Sequence, residues 1–330
     1  MNRNRRRCLI QATGLMAGTG PWPARAVLPA PSWPSAPIRI LLVYPPGGVS
    51  DVAARLLAEQ LSMALATPVR VEYRPGASGS LGLEALAGAA ADGHTLAFSA
   101  LSPLTLYPQL ARVRYDPLRD FAPVASVMLT PSLLVATKAF GGRSIADLLA
   151  AARAAPGRLR WATTGPGTTG HLVLVQWQRA SGASVNHIPY KGGGQQVADA
   201  LAGQFELLST NVGGLQLQHL RSGSLRALAV GAPLRLAALP QVPTWAELGY
   251  PAANLASLFG LLAPAGTPAS VITRLNAEVQ CALAAPALRD PLLAAHNLPT
   301  GGSADDFVRQ IRQEITQHAA LLRQAPITLD

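Results

Sequence analysis

A glycine-rich loop near the start of the chain holds the first residues that could do chemistry. Residues 44–51 read Tyr-Pro-Pro-Gly-Gly-Val-Ser-Asp, between an apolar run and an amphipathic stretch. A helix that begins there presents backbone N–H groups without internal partners, and glycines let a ligand oxygen approach the backbone closely. The pattern predicts an anion site with Pro46, Gly48, Ser50 and Asp51 as candidate ligand-binding residues. The alternative is a tight turn in which Ser50 or Asp51 only caps the helix.

Two further loops repeat this arrangement later in the chain. Residues 163–171 read Thr-Thr-Gly-Pro-Gly-Thr-Thr-Gly-His, and residues 189–195 read Pro-Tyr-Lys-Gly-Gly-Gly-Gln. One such loop is weak evidence, but loops at the strand-to-helix edges of two lobes suggest a cleft that grips a ligand from both sides. The third loop, taken alone, could be an ordinary turn with a solvated lysine. The candidate ligand-binding residues of the two loops are Thr164, Gly165, Gly167, Thr168, His171, Tyr190 and Lys191.

Enzymatic interpretations of the same residues are weaker. The Gly-x-Gly-x-x-Gly match at residues 165–170 lies at mid-chain and lacks both an acidic residue about twenty positions later and the Gly-Lys-Ser/Thr ending of a nucleotide loop. The six histidines show no paired metal-ligand spacing. Ser50, Asp51 and His171 do not follow a recognisable hydrolase order, and the sequence has no Gly-x-Ser-x-Gly elbow. We therefore expect no catalysis, no cofactor and no bound metal.

The elements that must position these loops alternate between short apolar runs and helical patterns. Predicted strands cover residues 38–43, 69–72, 95–99, 159–163, 185–189 and 225–230. Predicted helices cover residues 51–65, 83–91, 144–155, 172–180 and 195–202. This βα alternation predicts the α/β class, with mostly parallel sheets flanked by helices. After residue 263 we expect two helices, the first capped by Thr267 with Pro268 following, the second capped by Ser303 with Asp306 three residues later.

Length and composition indicate a folded protein of two lobes. The chain has 330 residues, which suits two lobes of roughly 100 to 150 residues each, and 49% of them are hydrophobic against 13% charged. The formal charge of +10 falls to +5 without residues 1–26, which hold five arginines and no acidic residue. The remaining basic residues are dispersed, so we expect no nucleic acid as partner. Cys281, the one cysteine after this segment, is expected to be buried on a helix.

The first 26 residues predict a signal peptide. Four arginines precede a short apolar stretch, and residues 24–26, Ala-Arg-Ala, provide a cleavage motif. The apolar stretch is shorter than the roughly 20 residues that span a membrane. Residues 6–10, Arg-Arg-Cys-Leu-Ile, suit twin-arginine export, with the general secretory route as the alternative. We expect cleavage near Ala26, a linker over residues 27–37 and a periplasmic location.

Further motifs lie in order along the chain beside the loops described above. They are Arg-Pro-Gly-Ala-Ser-Gly at 74–79, Asp-Gly-His-Thr-Leu at 92–96, Tyr-Asp-Pro-Leu-Arg-Asp-Phe-Ala-Pro-Val at 115–124, Leu-Pro-Gln-Val-Pro-Thr at 239–244 and Gly-Leu-Leu-Ala-Pro-Ala-Gly-Thr-Pro at 260–268. With this order and spacing the chain resembles the tripartite tricarboxylate transporter receptor family, also called the Bug family of periplasmic solute-binding proteins. The resemblance spans nearly the whole chain after the signal peptide.

The resemblance implies a Venus-flytrap receptor of the type II-like, two-lobed kind, which we expect to be a monomer. Lobe 1 would comprise residues 38–138 plus 256–330 and lobe 2 residues 139–255, with a small organic carboxylate held between the first βα loop and the Thr-Gly-x-Gly-Thr loop. The implied partner is an integral membrane permease of the tripartite tricarboxylate type. The alternative is a protein that presents the same ligand to a membrane histidine kinase. Departures from the family pattern at Tyr73 and at residues 102–107 leave the carboxylate's identity open.

Overall fold

Strands and helices alternate along residues 33–327, the part of the chain that this computed structural model describes. The strands are β1 (Ile38–Leu42), β2 (Val69–Tyr73), β3 (Thr95–Ala100), β4 (Phe121–Ala136), β5 (Arg160–Thr163), β6 (Asn186–Pro189), β7 (Leu207–Asn211), β8 (Arg226–Gly231), β9 (Ala256–Pro264) and β10 (Leu298–Pro299). The helices are α1 (Val49–Ala64), α2 (Ser80–Ala87), α3 (Ser102–Thr105), α4 (Ile145–Ala154), α5 (Thr169–Ser181), α6 (Gly193–Ala202), α7 (Gly214–Arg221), α8 (Ala269–Ala284), α9 (Pro286–Ala294) and α10 (Ala304–Gln324).

Two groups of strands share the long strand β4. In the first group, sheet A, the strand order is β2-β1-β3-β9-β4, and β10 adds to β4. In the second group, sheet B, β4 pairs with both β7 and β8, and β5 and β6 follow beyond β7. Strand β4 pairs with β9 up to Pro131 and with β7 from Ser132 onward. The chain therefore passes from sheet A to sheet B along β4 and returns to sheet A at the start of β9.

The predicted βα alternation is confirmed in the outer strands of both sheets. Strand β1 pairs in parallel with β2 and β3, and β5 pairs in parallel with β6 and β7. The centre of the fold is antiparallel, because β4 and β9 run against their neighbours. The apolar run of β4 is buried on both faces over most of its length, so it lacks the alternation that marks a strand in sequence.

Alternate residues of the strands pack into different cores. In β1, Ile40 packs with apolar residues of α1, α8 and α9, whereas Leu41 packs with residues of α2, α3 and α10 on the other face of sheet A. Sheet B is covered on both faces in the same way. On one of those faces Trp161 contacts Trp177 and Trp245, with ring centroids 5.3 and 6.4 Å apart. Because helices cover both faces of each sheet, only the ends of the strands remain open to a ligand.

The tail holds three helices rather than the two predicted. Residues 285–286 interrupt the helical pattern because Pro286 cannot continue α8, and α9 begins there. The predicted capping box at the start of α10 is confirmed, since the Ser303 hydroxyl accepts from Asp306 N and the Asp306 carboxylate accepts from Ser303 N. The predicted cap of α8 is shifted by one residue. Pro268 is the N-cap there, and the Thr267 hydroxyl donates to the Pro264 carbonyl oxygen instead.

The prediction that Cys281 is buried is wrong. It lies on α8 as expected, but it is exposed because Val271, Leu275 and Val279 form the face that packs on sheet A. The predicted signal peptide and residues 27–32 of the predicted linker lie outside the described residues. Within residues 33–327, none of the helices has both the length and the apolar character needed to cross a membrane.

Candidate functional site

A cleft lies where the strand ends of sheet A face those of sheet B. Its lining residues, which come from both sides, are Tyr44, Pro45, Gly48, Val49, Ser50, Ala100, Ser102, Thr164, Thr168, Thr169, Gly170, Gly192, Gly193, Ser209, Thr210, Asn211, Gln216, Ser257 and Phe259. Of the predicted ligand-binding residues, this set contains Gly48, Ser50, Thr164 and Thr168. The structure therefore brings the first two predicted loops together, one on each side of the cleft.

The first wall is the start of α1. Gly48 is the N-cap and, as a glycine, has no side chain that could cap the helix. Val49 and Ser50 are the first two helical residues. The backbone N–H of Asp51 is the first to bond internally, to the Gly48 carbonyl oxygen at 3.1 Å. The N–H groups of Val49 and Ser50 thus lie at the positive end of the helix dipole and border the cleft.

Asp51 is not one of the cleft-lining residues. Its side chain turns back behind the loop, where Oδ2 accepts from Gly47 N at 2.9 Å and Oδ1 accepts from Arg55 Nε and the Tyr73 hydroxyl, each at 2.8 Å. Burial alone would raise the pKa of this carboxyl, but the hydrogen bonds from Gly47, Tyr73 and Arg55 hold it below its usual value. The residue is 7% exposed, and these hydrogen bonds hold its carboxylate against Gly47, Arg55 and Tyr73.

The second wall is the start of α5. Thr168 is the N-cap, and its hydroxyl accepts from His171 N at 3.4 Å and donates to the Gly165 carbonyl oxygen at 2.7 Å. The next two residues, Thr169 and Gly170, line the cleft together with Thr168. Gly165 and Gly167 shape the loop before the helix and do not line the cleft. This wall therefore offers hydroxyls and helix-start amides, the groups that the sequence predicted.

His171 lies beneath the second wall and is only 6% exposed. Its Nδ1 accepts a hydrogen bond from Gly167 N at 3.1 Å, and its ring stacks on that of His187 with centroids 4.1 Å apart. Burial, and to a smaller extent the neighbouring His187, lowers the pKa of His171 to about 3. The imidazole is therefore neutral at ordinary pH and supports the loop from behind.

The remaining predicted residues lie at the edge of the site. Pro46 is exposed and does not line the cleft, although its neighbour Pro45 does. The Tyr190 hydroxyl donates to Asp199 Oδ2 at 2.7 Å, and burial is the main reason that its pKa rises to about 12. Lys191 is exposed, and the third loop reaches the cleft through its glycines instead, Gly192 and Gly193.

Several lining residues were missed by the sequence reasoning. Ser209, Thr210 and Asn211 end the apolar strand β7, and Ser257 and Phe259 lie on β9. Ser257 Oγ donates to Asn211 Oδ1 at 3.1 Å, which joins the two strands at the back of the cleft. The Ser-Thr-Asn ending of an otherwise apolar run was the available signal, because polar residues at the carboxyl end of a strand tend to face a ligand.

The cleft presents no ionised side chain among the described residues that line it. Those residues contribute hydroxyls, amides, glycine backbone and two aromatic rings, Tyr44 and Phe259, whose centroids are 6.4 Å apart. Burial strongly raises the pKa of Tyr44, against the effect of hydrogen bonds with Ser102 and Ser99, so its hydroxyl stays neutral. Residues 33–327 also contain no group of three or more His, Cys, Asp or Glu that could hold a metal ion.

Both sides of the cleft are in contact in this structure. Across it, Ser78 Oγ donates to the Pro166 carbonyl oxygen at 2.6 Å. A Cβ built on Gly192 would lie 2.3 Å from Pro45 Cγ, so the third loop packs tightly on the first. On the outer side, Gln176 Nε2 of α5 donates to the Leu321 carbonyl oxygen of α10 at 3.4 Å. These contacts describe a closed arrangement.

Known proteins are similar to this chain in both sequence and fold. The model of the family described as "Tripartite tricarboxylate transporter family receptor" matches residues 53–327. Protein BugT of Bordetella pertussis (strain Tohama I) is 37% identical over 324 residues, covering 96% of this chain and 98% of BugT. The structure of R. palustris Rpa4515 with adipate has a TM-score of 0.85 and 31% identity, and covers 90% of this chain and 99% of Rpa4515.

A second solved structure is similar over the same range. MatC from Rhodopseudomonas palustris with bound malate has a TM-score of 0.83 and 26% identity, and covers 88% of this chain and all of MatC. These similarities confirm the expected α/β, two-lobed solute-binding fold. This chain belongs to the tripartite tricarboxylate transporter receptor family, the Bug family of periplasmic solute-binding receptors, which are not enzymes.

Proposed function

We propose that this protein captures a small organic carboxylate in the cleft by closing its two halves around it. The observation that carries the proposal is the convergence of two helix starts, α1 and α5, on one cleft whose lining residues, as far as residues 33–327 are described, carry no ionised side chain. Backbone N–H groups at helix starts favour anions, and hydroxyls such as those of Ser50 and Thr168 can donate to the same oxygen atoms. A carboxylate fits these donors without needing a cation.

The similar proteins support the same ligand class. Rpa4515 and MatC were solved with adipate and malate, which are both carboxylates. In this chain, Gly48, Ser50, Thr164 and Thr168 are the predicted ligand residues that border the cleft. Ser102 also borders it, in the segment where the chain departs from the family pattern. We therefore expect the common carboxylate site to be kept and the remainder of the ligand to differ.

The proposed closing units are residues 38–138 plus 256–330 and residues 139–255. Residues near Pro131, where β4 leaves β9 and joins β7, would then act as part of the hinge. We further propose that the chain is exported with cleavage near Ala26, and that the closed receptor delivers its ligand to a membrane permease of the tripartite tricarboxylate type. Cells that lack the receptor should then lose uptake of the labelled acid. Loss of an acid-dependent transcriptional response with normal uptake would indicate the sensing alternative instead.

Thermal shift measurements test the ligand class directly. Residues 27–330 would be melted with adipate, malate, nicotinate, terephthalate, citrate or succinate at increasing concentrations. At one hundred times its dissociation constant, a bound acid adds about 2.7 kcal/mol to the free energy of unfolding. A folded protein whose midpoint does not change with any of these acids would contradict the proposal.

A matched pair of cap variants ties the shift to the cleft. Thr168→Val removes the cap of α5 at the cleft, and Ser144→Ala removes the cap of α4, which does not border it. Each should lower the stability of the free protein by about 1 kcal/mol. We expect only Thr168→Val to reduce the acid-induced shift. Equal reduction in both variants would place the binding elsewhere.

A further inference from the structure

Two side chains that the sequence assigned to the ligand occupy equivalent places behind the two walls. Asp51 is the third residue of α1, and His171 is the third residue of α5. Each accepts a hydrogen bond from the backbone N–H of the glycine four residues earlier, Gly47 at 2.9 Å and Gly167 at 3.1 Å. Both glycines have positive φ, 88° and 66°, a conformation that favours glycine.

This hydrogen bond fixes the loop against the start of its helix. After the N-cap residues Gly48 and Thr168, the first helical amides are those of Val49 and Ser50 in one wall and Thr169 and Gly170 in the other, and these four residues line the cleft. Within the described residues these four N–H groups have no hydrogen-bond partner in the protein. Since the glycine N–H is bonded behind the loop, the helix-start amides remain as donors in residues that line the cleft.

The two acceptors differ in charge, and their surroundings compensate for the difference. A negative charge at Asp51 would repel a bound anion, but Arg55 Nε lies 2.8 Å from Oδ1 and the Tyr73 hydroxyl donates to the same atom. His171 carries no charge, because burial lowers its pKa to about 3. What the two positions share is therefore a hydrogen-bond acceptor.

We infer that Asp51 and His171 are positioning residues, one for each wall, which hold the helix-start amides in place for the ligand without contacting it. The inference rests on the proposed function, because it takes those amides as the donors to the ligand carboxylate. It assigns the role to the acceptor atom at the third helical position. Neither the charge of Asp51 nor the ring of His171 is required for this role.

Matched substitutions separate the acceptor from the rest of each side chain. Asp51→Asn keeps an acceptor oxygen and removes the charge, whereas Asp51→Leu removes both at similar size. His171→Asn keeps an acceptor near the position of Nδ1 and removes the ring, whereas His171→Phe keeps a ring and removes the acceptor. Circular dichroism and melting of each free variant establish that it folds.

The measurement is the dissociation constant for the acid that shifts the wild-type midpoint most, determined by isothermal titration calorimetry. We expect both Asn variants to bind within about threefold of wild type, and the Leu and Phe variants to bind about tenfold more weakly or worse, a factor that corresponds to about 1.4 kcal/mol. A purely structural contribution from ring stacking would reverse the order of the two His171 variants, and would overturn the inference.

A spectroscopic readout does not depend on the ligand. In uniformly ¹⁵N-labelled protein, the hydrogen bond between Gly167 N and His171 Nδ1 should give a coupling between the two nitrogen nuclei. Exchange of the Gly47 and Gly167 amide protons should be slow in wild type and faster in the Leu and Phe variants, respectively. Absence of the coupling, together with wild-type binding by His171→Phe, would overturn the inference.

The outcomes distinguish this inference from the proposed function. If wild type binds an acid and all four variants bind it equally well, the receptor proposal stands and the positioning role is wrong. If Asp51→Asn loses as much affinity as Asp51→Leu, the charge matters and the acceptor assignment is wrong. If wild type binds none of the six acids but shows the coupling, the loop arrangement is supported and the carboxylate proposal fails.

Discussion

Ser78 Oγ donates a hydrogen bond of 2.6 Å to the carbonyl oxygen of Pro166. Ser78 follows β2 of sheet A, and Pro166 lies in the loop after β5 of sheet B, 88 positions later in the chain. The bond therefore crosses the cleft between the two walls. It can form only when the walls meet, so it stabilises the closed arrangement over an open one.

Replacing Ser78 by Ala should weaken ligand binding by favouring the open arrangement. The loss of one hydrogen bond that exists only on closing predicts a dissociation constant about 2 to 10 times higher, corresponding to 0.5–1.5 kcal/mol. Isothermal titration calorimetry with the best acid measures it. Ser222→Ala, which removes an exposed hydroxyl at the end of α7, is the control and should bind as wild type does. Equal affinities in the two variants would contradict the prediction.

Replacing Gly192 by Ala should obstruct closing through a steric contact. The backbone of Gly192 is extended, with φ 164°, so Ala introduces no backbone strain, but its Cβ would lie 2.3 Å from Pro45 Cγ. We expect binding to weaken about tenfold or more, or 1.4 kcal/mol. Small-angle scattering should show less compaction with ligand than in wild type.

Gly214→Ala provides the control for that variant. Gly192 is the N-cap of α6, and Gly214 is the first residue of α7, where a Cβ would meet no atom within 4 Å. Its affinity and compaction should match wild type. If Gly192→Ala compacts with ligand as much as wild type and Gly214→Ala do, the first and third loops accommodate the added Cβ and the predicted obstruction is wrong.

Stability should fall as the pH decreases below about 6.5, because two histidines are buried in neutral form. Burial lowers the pKa of His171 to about 3 and that of His318 to about 4, from an ordinary value of 6.5. Between the ordinary pKa of 6.5 and these lower values in the folded protein, each histidine binds a proton in the unfolded chain but not in the folded protein. Protonation therefore favours unfolding. The slope approaches about 1.4 kcal/mol per pH unit for each histidine.

Urea denaturation at a series of pH values measures this loss. In His171→Asn one of the two histidines no longer contributes, so the slope between pH 6 and 4.5 should be smaller than the wild-type slope by up to about 1.4 kcal/mol per pH unit. Identical slopes in the variant and in wild type would mean that His171 is protonated in the folded protein. The pH dependence would then have another origin.

Glu314 should produce the opposite dependence, which partly cancels that of the histidines between pH 4.5 and 6.5 and acts alone above it. Burial raises its pKa to about 8 from an ordinary value of 4.5, and its Oε1 lies 3.7 Å from His318 Nε2. The folded protein keeps a proton there that the unfolded chain releases, so the contribution of Glu314 to stability should decrease as the pH rises from 4.5 to 8. Glu314→Gln should therefore melt higher than wild type at pH 8 and similarly at pH 4.5. A lower midpoint at pH 8 would contradict this.

The sequence predicted the local elements well because their signals are local. The amphipathic pattern of α1 and the apolar run of β1 depend on neighbouring residues, and both elements form where expected within two residues. Strand β4 was not predicted, because its path from sheet A to sheet B is decided by pairing with β9, β7 and β8, which lie far away in sequence. Long-range pairing of this kind leaves little trace in a hydrophobic pattern.

The candidate site divides in the same way. Gly48, Ser50 and Thr168 were found because a glycine loop before a helix can be read from the sequence. Ser257 and Phe259 were missed because only the antiparallel position of β9 between β3 and β4 brings them to the cleft. Asp51 has the right position in the sequence, but its side chain points behind the loop because Arg55, one helical turn later, binds it there.

The uncharged lining of the cleft has a consequence for the compartment in which such receptors work. A receptor that binds an anion through histidine gains or loses charge as the acidity of the periplasm changes, and exposed charges are screened more strongly as the salt content rises. Hydroxyls, amide groups and helix dipoles keep the same polarity throughout, and inside a closed cleft they are little screened by salt. Capture by this protein should therefore vary with the ionisation of the ligand itself, which makes the acid's own chemistry the main determinant of when it is taken up.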